Sequence, residues 1–141
     1  MKYVCDAPGG NTWFRIETEA EALRESEEMR HAVDKYFRQE KERAAATFRP
    51  ASSVHFEQEI GLKAHLEREM PIFLTLRDDE GTALATAMLP PGFGESRSFR
   101  PIIVGGQNAD PYPKHGDAIR ALAEHTGVSL DRDRCYPYRR G

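Results

Sequence analysis

The stretch Thr18–Ala46, TEAEALRESEEMRHAVDKYFRQEKERAAA, decides the fold. It opens on Thr18-Glu19-Ala20-Glu21, the form of a capping box, in which the Thr hydroxyl accepts from the Glu21 amide while the Glu21 side chain reaches back. No Gly or Pro interrupts the rest of the run, and Ala22, Ser26, Met29, Val33, Phe37 and Ala44 recur at helical spacing. Acidic residues crowd the first half (Glu19, Glu21, Glu25, Glu27, Glu28) and basic ones the second (Lys35, Arg38, Lys41, Arg43), which suits the helix dipole. Pro50 supplies a stop. The spacing predicts one helix over 18–46.

At about 1.5 Å per residue, such a helix spans roughly 42 Å. A compact domain of 141 residues has a diameter of roughly 37 Å. The rod therefore crosses the whole body or overhangs it. A second copy would cover the overhanging apolar stripe, so a homodimer through this helix is expected.

Upstream, Lys2–Cys5 and Thr12–Ile16 read as short strands around the turn-forming run Asp6-Ala7-Pro8-Gly9-Gly10-Asn11, a hairpin. Downstream, residues 53–70 are ambiguous. Val54, Phe56, Ile60, Leu62, Ala64, Leu66 and Met70 keep a period of two, but Glu, Gln, Leu, Lys, Ala and Arg dominate from 57 to 69 and favour a helix there. Residues 72–77 and 82–89 flank Asp78-Asp79-Glu80-Gly81, a second hairpin. Residues 99–104 form a further strand, with Pro101 marking an edge or irregular position. A last helix starts near Asp110-Pro111 and ends at Gly127, a left-handed cap followed by Val128. The expected architecture is α+β: a small antiparallel sheet of hairpins, covered on one face by one long N-terminal helix and a shorter C-terminal helix. Residues 1–130 make a single domain and 131–141 a polar C-terminal tail.

Composition narrows the function classes. Twenty Lys+Arg against 23 Asp+Glu give a net charge of −3, without the basic excess that phosphate binding requires; no nucleic-acid partner is expected. The cationic tail residues Arg132, Arg134, Arg139 and Arg140 interleave with Asp131 and Asp133. No apolar run approaches the 18 or so residues of a membrane span, and no charged-then-apolar leader opens the chain, so a cytoplasmic protein is expected. Cys5 and Cys135 stand apart, without the paired spacing of a zinc site.

Phosphate-binding, dinucleotide-binding, zinc-protease and hydrolase signatures are absent from the sequence. Three groups of residues carry chemistry. The segment Gly105–Asp117 follows a strand and precedes a helix, a place where binding groups gather, and it concentrates Gln107, Asn108, Asp110, Tyr112 and His115. Two His-x-Glu-x-Glu triplets, His55/Glu57/Glu59 and His65/Glu67/Glu69, combine donor types that suit a transition metal but read better as a solvated face. Cys5 beside Asp6 could serve as a nucleophile only with a cation to lower its pKa. No cofactor, metal or catalytic residue is assigned. The expected function is binding, either of another protein or of a second copy; the alternative is a small-ligand-binding protein or enzyme that uses the 105–117 segment.

Overall fold

The computed structural model describes residues 1–94 and 98–138. Its elements are β1 (Lys2–Ala7), β2 (Asn11–Ile16), α1 (Glu19–Met29), α2 (Val33–Ala46), α3 (His55–Glu69), β3 (Ile72–Arg77), β4 (Ala83–Leu89), β5 (Ile102–Val104) and α4 (Tyr112–Thr126). The strands form one antiparallel sheet in the order β1-β2-β3-β4-β5. The fold is thus α+β, with β2 and β3 paired across the intervening helices.

Local chemistry accounts for the element ends. The capping box closes as its residues predict: Thr18 Oγ1 accepts from the Glu21 amide at 3.1 Å, and Glu21 Oε1 accepts from the Thr18 amide at 3.2 Å. In the β3–β4 turn, Asp78 Oδ1 accepts from the amides of Glu80 and Thr82 at 3.0 and 2.9 Å. Gly127 ends α4 at φ +77°, its amide bonded to the Ala123 carbonyl, a conformation open to Gly without steric cost. Residues 55–69 are helical, as their composition favours. A Cβ on Gly61 would sit 3.2 Å from the Phe48 ring, so a larger residue there requires that ring to shift by a few tenths of an ångström. Phe48 in turn lies against His65, ring centres 5.4 Å apart.

The 18–46 run is two helices, not one. Arg30 turns left-handed (φ 54°, ψ 53°), and the amides of Arg30 and His31 both converge on the Ser26 carbonyl. Ser26 Oγ then donates to Asp34 Oδ1 at 2.7 Å and accepts from the Asp34 amide at 2.9 Å, which ties the two helices together. The His31 ring turns inward and accepts from the Val33 amide at 3.4 Å. Folding back lets Ala22 of α1 and Val33, Phe37 and Ala44 of α2 share one core with Ile16 and Phe73, which a straight rod longer than the domain cannot do. That burial overrides the helix preference of the linking residues. Arg30 gains nothing from its Cβ in this conformation, which costs an L-residue about 1–2 kcal/mol. Arg30→Gly is accordingly expected to stabilise the protein by about 0.5–1 kcal/mol, read as a rise of a few degrees in Tm; an unchanged or lowered Tm contradicts the turn.

The helices also cover both faces of the sheet rather than one. Trp13, Leu74, Leu76, Ala85, Leu89 and Ile103 meet Ile119 and Leu122 of α4, and Trp13 Nε1 donates to the Ala118 carbonyl at 2.8 Å. The opposite face carries Ile16 and Phe73 against α1 and α2, with the Phe37 and Phe73 rings 5.1 Å apart. The cause lies in β3, where Ile72–Leu76 is buried at every position. A strand apolar on both faces requires cover on both.

Residues 131–138, the described part of the stretch expected as a polar tail, return to the sheet. Cys135 is fully buried, and Tyr136 bridges to Ile102 beside the β5 edge. Arg139 and Arg140 lie outside the described residues.

Candidate functional site

A buried polar cluster joins α1 to the sheet. Glu25 projects from α1 and is wholly inaccessible to solvent. One of its oxygens accepts from Arg77 Nη2 at 2.7 Å and the other from Thr86 Oγ1 at 2.6 Å. Arg77 also donates to the Gly81 carbonyl at 2.9 Å and lies 3.6 Å from Glu28, while Glu28 caps the Ala83 amide at 3.0 Å. His31 Nε2 sits 2.8 Å from the same Thr86 oxygen. Thr75, cross-strand partner of Thr86, keeps a buried hydroxyl with no hydrogen-bond partner among the described residues, as does Arg77 Nε.

Donor and acceptor counting orients the chain of bonds. A carboxylate only accepts, so Thr86 gives its proton to Glu25. The Thr86 oxygen then accepts from His31 Nε2–H, and His31 Nδ1 accepts from Val33 N–H. This order requires neutral imidazole. Burial pushes the His31 pKa below its ordinary 6.5, against the pull of Glu25 and Asp34. The unfolded chain therefore binds a proton that the folded chain refuses, between the lowered value and about 6.5. Stability is expected to fall as pH drops through that window. His115, also lowered by burial and by Lys114, adds in the same direction. Urea midpoints at pH 7.5 and 5.5 measure the loss, and His31→Gln is expected to shrink it; an unchanged difference in that variant contradicts the neutral assignment.

Beside this cluster lies a cavity of about 260 Å³. The start of α2 (Ala32, Val33, Tyr36) forms one wall and the sheet (Phe73, Met88, Ile102, Val104) the floor. Asn108, Tyr136 and Pro137 close the remaining side, and Thr86 lines the cavity as well as the polar cluster. Tyr36 and Tyr136 are each about half exposed, 48% and 50%. A second, open groove of about 630 Å³ runs between the end of β2 and the helices α2 and α3. Ile16, Phe37, Leu66 and Met70 line its apolar part, and its charged residues are of both signs.

The five residues singled out in 105–117 separate in space. Asn108 lines the smaller cavity at φ 59°, a left-handed position that Asn tolerates better than most residues. Gln107, at φ 58°, is exposed. Asp110 accepts from the Tyr112 amide at 3.0 Å and from Arg132 Nε at 2.8 Å. Tyr112 donates its hydroxyl to the Leu130 carbonyl at 2.7 Å and meets Tyr138 edge-on, 5.7 Å between ring centres. Asp110 and Tyr112 thus hold the C-terminal stretch in place. His115 occupies the distorted first turn of α4, its amide on the Pro111 carbonyl at 2.8 Å.

The other sequence candidates fare differently. His55 pairs with Glu59 at 2.9 Å on the exposed face of α3. His65 turns away from Glu69 to reach Thr47 and the Ala44 carbonyl at 2.8 and 2.9 Å. No group of three or more His, Cys, Asp or Glu among the described residues is placed to hold a metal. Cys5 is buried, and burial followed by Asp6 pushes its thiol pKa up, the reverse of activation. Cys135 is likewise a buried free thiol.

Sequence reasoning missed Glu25, His31, Arg77 and Thr86. A signal existed for the first: Glu25 lies three residues after Ala22 and four before Met29, inside the apolar stripe. On α3, which buries no residue, Phe56 and Ile60 are exposed by 68% and 55%, with Val54 beside them at 53%. A stable interface takes about 800 Å² from each partner, well beyond three such side chains.

No described helix is long and apolar enough to cross a membrane. Comparisons with family models, curated proteins and solved structures find no match.

Proposed function

We propose that this chain is a binding domain for a small, largely apolar molecule, held in the cavity between α2, the β4–β5 edge and residues 136–137. The observation that carries this is the cavity itself, with its floor of Phe73, Met88, Ile102 and Val104 and its two half-exposed tyrosines. Ligand sites are concave and mainly apolar with a few placed polar groups, commonly about 300–1,000 Å³ for drug-sized molecules. A volume of about 260 Å³ suits something smaller, on the scale of one ring. Asn108, from the segment expected to carry a site, supplies one polar group.

Binding without chemistry is the better reading of the adjoining cluster. Both His31 nitrogens are engaged, and Glu25 is sealed between Arg77 and Thr86. Neither lines the cavity, so neither meets a ligand held there directly. With α1 and α2 folded into shorter helices, no rod overhangs the body, and the geometric motive for a second copy along it disappears.

Amide chemical shifts test the reading. Titration of the whole protein with indole is expected to move the amides of Val33, Tyr36, Met88, Ile102 and Asn108 saturably. Ile102→Trp, which fills the cavity from the edge strand, is expected to abolish the shifts with the circular dichroism spectrum intact. No shift at millimolar indole, or shifts centred elsewhere, would overturn the assignment.

A further inference from the structure

The chemistry of the cavity wall narrows the class of ligand, an inference that rests on the binding reading above. None of the described residues lining the cavity is Asp, Glu, Lys, Arg or His. A charged ligand entering it would surrender hydration without meeting an opposite charge, and an unpaired buried ion is strongly disfavoured. The fixed charge directly behind the wall is Glu25, on the far side of Thr86. It offers an anion nothing. It offers a cation as little, because the neutralised carboxylate has both oxygens bonded to Arg77 and Thr86.

Thr86 adds a second rule. Its proton is committed to Glu25 at 2.6 Å, and one lone pair to His31 at 2.8 Å. What the hydroxyl has left is a single lone pair, so it can accept a hydrogen bond from a ligand but cannot give one. Asn108, Tyr36 and Tyr136, whose polar groups both donate and accept, favour neither kind of ligand and leave this preference to Thr86.

We infer that the cavity takes an uncharged ligand of about one ring that carries a hydrogen-bond donor, a phenol or an alcohol rather than a carboxylate or an amine. Four molecules of one shape separate the parts of the claim: p-cresol, toluene, 4-methylbenzoate and 4-methylbenzylamine. Each is titrated into the whole protein at neutral pH and followed by amide shifts. The expected Kd for p-cresol is lower than for toluene by about tenfold, the effect of one hydrogen bond, and lower still relative to the two ions. Thr86→Val, close in shape, is expected to narrow the gap between p-cresol and toluene severalfold while toluene still binds. The ranking in the unmodified protein stands as a test even if that variant unfolds.

A benzoate or benzylamine that binds as tightly as p-cresol overturns the charge rule. Toluene equal to p-cresol in the unmodified protein overturns the donor rule. Both results leave the cavity as a binding site. Silence from all four removes the cavity reading itself, and this inference with it.

Discussion

Glu25→Ala is expected to destabilise the protein by about 3–5 kcal/mol, the cost of breaking a buried ion pair from one side. The variant strips Arg77, whose side chain is only 14% exposed, of its 2.7 Å partner. Glu28, at 3.6 Å and 40% exposed, is too distant and too wet to replace it. Thr86 loses the acceptor of its proton, and the order of donors running from His31 loses its end point. The loss reads as a drop in Tm of roughly 10 °C, at a few degrees for each kcal/mol in a chain of this size. The double variant Glu25→Leu/Arg77→Met is expected to recover much of it, because two apolar side chains leave no orphaned charge. A single-variant loss below about 1 kcal/mol, the range of exposed pairs, would show that the cluster is solvated.

The second large effect lies on the other face of the sheet. Trp13→Ala is expected to cost about 3–5 kcal/mol, as truncations of large buried aromatics do. Trp13 is completely buried and couples β2 to α4 through packing and through its bond to the Ala118 carbonyl. Trp13→Phe keeps most of the contact and is expected to cost roughly half as much, including about 1 kcal/mol for the hydrogen bond. Phe56→Ala, on the exposed face of α3, serves as the contrast and is expected to fall within about 0.5 kcal/mol of the unmodified protein. Urea unfolding of the three variants decides the order; a Phe56 effect as large as that of Trp13 would reverse the assignment of inside and outside.

Much of this architecture is legible in the residues because local chemistry sets it. The capping box, the Asp78 turn, the Gly127 cap and the edge position of β5 after Pro101 each follow from a few neighbouring side chains. The break at Arg30–Ala32 is not legible in the same way. No Gly or Pro marks it, and Met29 and Val33 keep helical spacing straight through it. What bends the chain is tertiary: the Ser26–Asp34 pair and the inward ring of His31 have value only once the sheet is present. The two-sided cover could have been read from Ile72-Phe73-Leu74, whose lack of alternation already describes a strand with no wet face.

The candidate site was less accessible to sequence for the same reason. Glu25, His31, Arg77 and Thr86 come from a helix, a turn and two strands, at spacings that no short motif encodes. Of the loop residues that do cluster in sequence, Asn108 reaches the cavity wall, whereas Asp110 and Tyr112 are consumed in anchoring residues 130–138. A polar cluster in sequence measures how many hydrogen bonds a segment can make, not whom it makes them with.

The pairing of β2 with β3 across residues 17–71 has a kinetic side. Each flanking hairpin can zip by itself in about 1–10 μs, but the central seam must bring together ends separated by the whole helical insertion. The entropy of that closure grows only slowly with length, by about 0.6 kcal/mol per doubling, yet it is owed before any seam contact returns it. The hairpins are local pairings and the seam at Ile16 and Phe73 is not, so the seam is expected to close after them.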